Sequence, residues 1–224
     1  MDIPDYIENE EQLDELLSRP TPGVVDTFRK LEGDVLFLGA GGKMGPTMAR
    51  MARSACTQLE SEGAAPRRIM AVSRFSNPAA RAELEGYGVE CIACDLLDPA
   101  QRAKLPDAPN VVYMTGTKFG STGNEALAWA MNAYLPGAIA EQYRDSRIAA
   151  FSTGNVYGLV PVNRGGSLES DTLNPDGDYA MSCVGRERVF SHFSKANGTP
   201  VSLICLNYAC ELRYGVLVDL AQQV

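Results

Sequence analysis

One histidine and one tryptophan in 224 residues leave this chain little imidazole or indole chemistry. A single His192 excludes any site that gathers several histidines on a metal, and its place in a helical stretch, Val189 to Lys195, gives it a surface or packing role. Long apolar runs are absent too. None exceeds seven residues, where a membrane span needs ~20. Basic residues are in deficit, 20 Lys and Arg against 28 Asp and Glu, so the net charge of −8 has the wrong sign for wrapping a phosphate backbone. The acidic first twenty residues lack the basic start and apolar middle of a secretory signal, and a cytoplasmic protein is expected. Six cysteines in that setting read as reduced thiols. Cys91, Cys94, Cys205 and Cys210 lie in or beside apolar strand-like segments, where cysteine packs as a small hydrophobe. Cys91 and Cys94 form a Cys-x-x-Cys, but residues three apart on a strand point to opposite faces, which argues against a zinc or redox pair.

What is present is enough apolar material, 45% of residues, for a substantial core. The charge is local. Seven acids and one base in the first nineteen residues account for −6 of the total. Leu13, Leu16 and Leu17 supply a short helical stripe there, Pro20 and Pro22 interrupt it, and Val24 to Leu31 suggests a second short helix. Residues 1–33 are therefore expected as an acidic helical extension and 34–224 as the main domain.

From Asp34 onward, strand-like and helix-like segments alternate. Strands are expected at 34–39, 68–72, 89–94, 110–115, 147–152 and 201–207. Helices are expected at 46–62, 78–87, 99–105, 124–143 and 179–196. Such alternation predicts an α/β fold, a doubly wound parallel sheet of Rossmann type with helices on both faces and ligands at the carboxyl ends of its strands. The first strand runs into Gly39-Ala-Gly-Gly-Lys-Met-Gly45, a Gly-x-x-Gly-x-x-Gly between strand and helix. In that context Gly39 permits the tight turn, Gly42 lets the backbone approach a pyrophosphate, and Gly45 lets the helix pack on the sheet. Its helix amino end favours the anion. Ser73-Arg74 ends the second strand, where NAD sites carry an acid; Arg74, with Lys43 nearby, tilts the expected NAD(P) cofactor toward NADP.

Several motifs in the right order make residues 34–215 similar to the extended short-chain dehydrogenase/reductases, the NAD-dependent epimerase/dehydratase family, with the nucleotide-sugar epimerases as the nearest functional relatives. Asp95-Leu96 matches the pair that meets adenine in that family. Met114-Thr-Gly-Thr-Lys118 resembles the segment whose lysine contacts cofactor ribose, which implies cofactor roles for Thr115, Gly116 and Lys118. Asn132 resembles an asparagine that steadies the active-site loop, and Phe151-Ser-Thr-Gly-Asn-Val-Tyr-Gly158 places Thr153 at the catalytic Ser/Thr position. Glu169 through Tyr179, with Pro175, is similar to the acidic loop leading to the catalytic tyrosine, so Tyr179 is the implied acid/base and a cofactor contact. Leu206-Asn-Tyr208 resembles an arginine-led stretch, with Cys205 at the arginine position.

One residue is missing from this pattern. Tyr-x-x-x-Lys is here Tyr179-Ala-Met-Ser-Cys183, although Ser182 and Glu187 keep the register. Residues i and i+4 share a helix face, so a lysine at 183 would lower the tyrosine pKa and hold the nicotinamide ribose. A tyrosine with pKa ~10 is only about 0.1% ionised at pH 7. Arg186, nearly two turns from Tyr179, and Lys118 are the other bases within reach. Two functions stay open: hydride transfer on a sugar or nucleotide-sugar hydroxyl, and NAD(P) binding without turnover as a sensor or scaffold. A thiol sensor at Cys183 is a third, weaker reading. The resemblance also implies a substrate lobe, expected to be largely absent here, and a homodimer through the helices at 124–143 and 179–196.

Overall fold

The structure, a computed structural model, describes residues 4–117 and 123–223. Six strands are ordered β3-β2-β1-β4-β5-β6. They are β1 (Val35–Leu38), β2 (Ile69–Ser73), β3 (Glu90–Ala93), β4 (Asn110–Tyr113), β5 (Arg147–Thr153) and β6 (Val201–Leu206). β1 pairs in parallel with β2 and with β4, β2 with β3, and β5 with β6. This is the doubly wound parallel sheet that the alternating sequence predicts, and its order reverses between β1 and β4. The chain divides into two compact units, Met1–Met114 and Thr115–Val224.

In the first unit every residue of β1 is buried, because strands covered on both faces read as continuous apolar runs. The helices start where the sequence provides caps. Asn9 accepts from Gln12 N at the start of α1 (Glu10–Ser18), and Thr21 accepts from Val24 N ahead of α2 (Pro22–Lys30). Pro22 opens α2 rather than merely breaking α1, since proline fits the first helical turn. The extension buries Leu13 of α1 and Val25 of α2. Val25 of α2 forms an apolar cluster with Ala55 and Leu59 of α3 (Gly45–Ser61), with Phe28 against it. Asn77 and Asp98 cap α4 (Pro78–Gly86) and α5 (Pro99–Arg102), each followed by proline.

In the second unit the single helix expected at 124–143 is interrupted. Helix α6 (Glu125–Trp129) passes into a π turn, Ala130–Tyr134, and continues as α7 (Leu135–Gln142). Pro136 is the physical cause. It has no N–H to give the carbonyl of Asn132, so the ladder shifts and Leu135 N donates to the carbonyl of Ala130 instead. A 3-10 turn follows β5 at Gly154–Tyr157. Helix α8 (Gly177–Asn197) ends on Gly198, whose φ of 74° is the left-handed cap that glycine adopts without strain. After β6 the chain forms a short α9 (Val216–Ala221) with no buried residue. Cys210, expected to pack as a hydrophobe, is exposed because the chain has left the sheet there; Cys91 and Cys94 are buried. His192 is exposed, edge-on to Phe193.

The turn after β1 rests on Gly45. A Cβ there would stand 2.6 Å from the Cα and carbonyl carbon of Ala40, and closer still to its oxygen. Gly45→Ala is expected to cost about 1–3 kcal/mol through overpacking, read as a lower urea midpoint with unchanged slope.

Candidate functional site

The candidate residues divide between the two units. In the first, Gly39 bends the chain at φ 91°, and its N–H and that of Ala40 both donate to the carbonyl of Val72, at 2.9 and 3.0 Å. Gly42 differs from its partners. Its φ is not positive and, among the described residues, an added Cβ would meet only the Gly39 carbonyl, at 3.6 Å. The fold does not require a glycine at 42, so the space it leaves open is available to something outside the chain. α3 begins here with no acid in its first turn and no side-chain cap, which leaves amide donors for an anion. Gly41 lies against the side chain of Ser73 at the end of β2. Lys43 and Arg74 are exposed, and Phe75, next in sequence, has φ 46°, in the left-handed region bulky residues avoid. Beyond β3, Asp95 Oδ1 accepts from Leu97 N at 3.0 Å, while the buried Leu96 gives its carbonyl to Arg102 Nη1 at 2.7 Å.

In the second unit the hub is Asn132, held in the π turn with no exposed surface. Its Nδ2 donates to the Thr117 carbonyl and to Ser182 Oγ, both at 3.0 Å. Its Oδ1 accepts from Thr117 N at 3.0 Å and from Arg186 Nη2 at 2.7 Å. Both donors and both lone pairs of the amide are thereby used. Ser182 Oγ in turn donates to the Tyr179 carbonyl at 2.9 Å, and Arg186 Nη1 to the Phe151 carbonyl at 2.8 Å. Trp129 Nε1 donates to Asp178 Oδ1 at 2.7 Å and pins the start of α8 just ahead of Tyr179.

This scaffold brings Thr153, Tyr179 and Cys183 together. Burial pushes the Tyr179 phenol up, and the neighbouring Cys183 thiol pushes it further, while the hydrogen bond with Thr153 and the charge of Arg186 pull it down. The net direction is upward, opposite to the effect of a lysine at 183. Thr115 is buried and, among the described residues, its Oγ1 has no hydrogen-bond partner, an orphan a ligand would satisfy. Gly116 is exposed against Arg186, and Lys118 lies outside the described residues.

A second polar group joins residues that the sequence named but did not bring together. Ser152 Oγ donates to Glu187 Oε1, Cys205 Sγ donates to the same oxygen at 3.7 Å, and Tyr157 OH donates to Cys205 Sγ at 3.8 Å. Cys205 is the residue that, by the resemblance drawn from the sequence, stands at an arginine position. Among the described residues no group of three or more His, Cys, Asp or Glu could hold a metal, and burial pushes the Cys91 and Cys94 thiols up, away from the thiolate that zinc or redox chemistry needs.

Comparison with known proteins places the fold. A UDP-glucuronic acid 4-epimerase from Bacillus cereus, solved with UDP-glucuronic acid and NAD, superposes with a TM-score of 0.62 at 16% identity, over 77% of this chain and 55% of that one. MoeE5 in complex with UDP-glucose and NAD gives 0.59 at 22%, over 79% and 55%. The UDP-Glc/GlcNAc 4-epimerase from the human pathogen Campylobacter jejuni gives 0.59 at 19%, over 77% and 52%. The chain spans about half the length of these structures. No family model and no curated protein matches the sequence. No helix among the described residues is long and apolar enough to cross a membrane.

Burial, with smaller effects from Cys205, Glu187 and Glu169, pushes the Tyr157 phenol up to about 12. Between the ordinary midpoint of ~10 and that value the folded state keeps a proton the unfolded chain has lost, so stability falls as pH rises through this window. Tyr157→Phe is expected to flatten that alkaline loss, measured by denaturant midpoints at pH values across it.

Proposed function

We propose that this chain binds a nicotinamide dinucleotide through the turn after β1 and acts on a nucleotide-sugar hydroxyl by hydride transfer, with Thr153 and Tyr179 at the reacting oxygen. The observation that carries the reading is the hydrogen-bonded pair of buried Thr153 and half-buried Tyr179, in a fold shared with epimerases solved with NAD. The residues present fit the cofactor. Gly42 leaves room that the fold itself does not need, and the α3 amino end offers donors to a pyrophosphate. When bound, the nicotinamide supplies or takes up hydride at a sugar carbon.

The chain's own contribution is positional and protic. Thr153 accepts or donates a hydrogen bond at the reacting oxygen and orients the Tyr179 hydroxyl beside it. Tyr179, its pKa raised, stands ready as a phenol that gives its proton to a carbonyl oxygen being reduced. Taking a proton from a hydroxyl needs the phenolate, which this site disfavours. That observation supports a second reading, a protein that holds NAD(P) and a sugar with little or no turnover.

The finer cofactor preference rests on Arg74 and Lys43. A guanidinium at the end of β2 can pair the 2′-phosphate of NADP, whereas the similar structures were solved with NAD.

Calorimetric titration with NAD, NADH, NADP and NADPH tests both readings. Binding is expected for at least one of them; none for all four overturns both. Arg74→Ala is expected to weaken NADP about 10–100-fold, the worth of a charge-assisted contact, with a smaller effect on NAD. Equal losses would end the preference. Gly42→Ala is expected to keep the fold and lose dinucleotide affinity.

The two readings separate at position 183. Cys183→Lys is expected to raise hydride transfer about tenfold or more by drawing the Tyr179 pKa down, read as dinucleotide absorbance change with UDP-sugars. Rapid turnover by the unaltered chain would sink the binding-only reading.

A further inference from the structure

The family pattern puts its cation at 183, directly beside the tyrosine. In this chain the cation of α8 nearest that face is Arg186, seven residues on from Tyr179. Its side chain is almost wholly buried. We propose that Arg186 is a positioning residue for Tyr179, its clamped guanidinium supplying from one turn further along α8 the positive charge that Cys183 lacks. The inference rests on the reading of Tyr179 as the proton-transfer group.

Three contacts define where the charge sits. Nη2 donates to Asn132 Oδ1 at 2.7 Å, and Nη1 donates to the Phe151 carbonyl at 2.8 Å, two residues before Thr153 on β5. The third is Gly116, where a Cβ would come within 2.6 Å of Nη2 and 3.1 Å of Asn132 Oδ1. One guanidinium thus registers the strand end carrying Thr153, the helix carrying Tyr179 and the segment leading to Thr117. Only a planar fork with a permanent charge does this; an ammonium is a point charge without that geometry. Seven residues separate the two Cα levels by about 10 Å, a spacing across which the Arg186 charge still acts on the Tyr179 phenol.

The electrostatics agree with the contacts. Arg186 pulls the phenol pKa down against burial and Cys183. From α8 the phenol faces Cys183 and Arg186, and from the end of β5 the uncharged Thr153. Of the other titratable groups on elements packed against α8, Tyr157 and Cys205 engage each other and Glu187. Asp178 is held by Trp129, and Glu125 and Glu141 on the 125–142 helix are exposed.

The test reads Tyr179 alone, without cofactor. A 3,5-difluorotyrosine is placed at 179, which brings the phenol into an accessible pH range, and its fluorine resonances are followed against pH. The background is the unaltered chain, Arg186→Met, Arg186→Lys or Gly116→Ala. Arg186→Met is expected to lower the phenolate fraction at a fixed pH below the midpoint about tenfold, the effect of removing one nearby opposite charge. Arg186→Lys, which keeps the charge, is expected to recover most of it. In Gly116→Ala the added methyl meets the end of the arginine side chain and displaces it from Asn132, so the midpoint is expected to rise there too. This variant decides the matter if Arg186→Met does not fold. Equal midpoints in the unaltered chain and the folded variants, even with lowered thermal stability, would reduce Arg186 to a structural residue and overturn the inference. The measurement is independent of the dinucleotide titration: absent binding overturns the proposed function while leaving these midpoints as they are.

Discussion

The amide of Asn132 is the constraint on which the second unit depends. A primary amide has two donors and two lone pairs, and burying any of them unpaired costs about 1–3 kcal/mol. Here the Thr117 backbone, Ser182 and Arg186 use all four. The arrangement requires Asn132 to point into the unit from the middle of a helix, and Pro136 makes that possible by opening a π turn around it. π turns inside helices recur at functional sites because they re-aim one side chain without ending the helix. Ser182 and Arg186 pass the constraint on to the carbonyls of Tyr179 and Phe151. The backbones carrying Thr153 and Tyr179 are thereby tied to one buried amide.

Given that scaffold, the proposed chemistry depends on the sign of the field at one phenol. Burial alone disfavours the phenolate, and the thiol at 183 adds to burial rather than opposing it. The groups that oppose it are a neutral hydroxyl, Thr153, and the guanidinium of Arg186, nearly two turns along α8. A proton-donating phenol suits reduction of a carbonyl, or plain hydrogen bonding to a sugar, better than oxidation of an alcohol. At Cys205, where the resemblance also implies a cation, Glu187 receives hydrogen bonds from that thiol and from the Ser152 hydroxyl. Beside each of these two cysteines the neighbouring phenol, Tyr179 in one case and Tyr157 in the other, is harder to ionise.

The turn after β1 shows how the demands of folding and of binding separate within one motif. Gly39 answers to a backbone angle and Gly45 to a close approach of Ala40, so both are explained without a ligand. Gly42 is not. Its freedom, with the uncapped amino end of a 17-residue helix beside it, is what points beyond the chain.

Much of this architecture was legible in the residues themselves. Strand-helix alternation from Asp34 specified a parallel sheet because apolar runs of strand length, separated by helical spacing, can be buried only with helices on both faces. Glycine spacing located the turn, and Ser182 and Glu187 kept the register that exposed Cys183 as the departure. The break at Pro136 was visible as a residue but not as a consequence, since whether a proline ends, kinks or widens a helix depends on what its neighbours can bond. Cys210 escaped the same reasoning: local hydrophobicity does not say where a chain leaves its sheet. Arg186 is the clearest case. Its spacing from Tyr179 was countable, yet the direction of its guanidinium is set by an asparagine 54 positions earlier and a carbonyl 35 positions earlier. Sequence determines which charges are available and at what helical phase. Only tertiary structure decides which buried acceptors capture them, because desolvation makes a buried charge go where its hydrogen bonds can be completed.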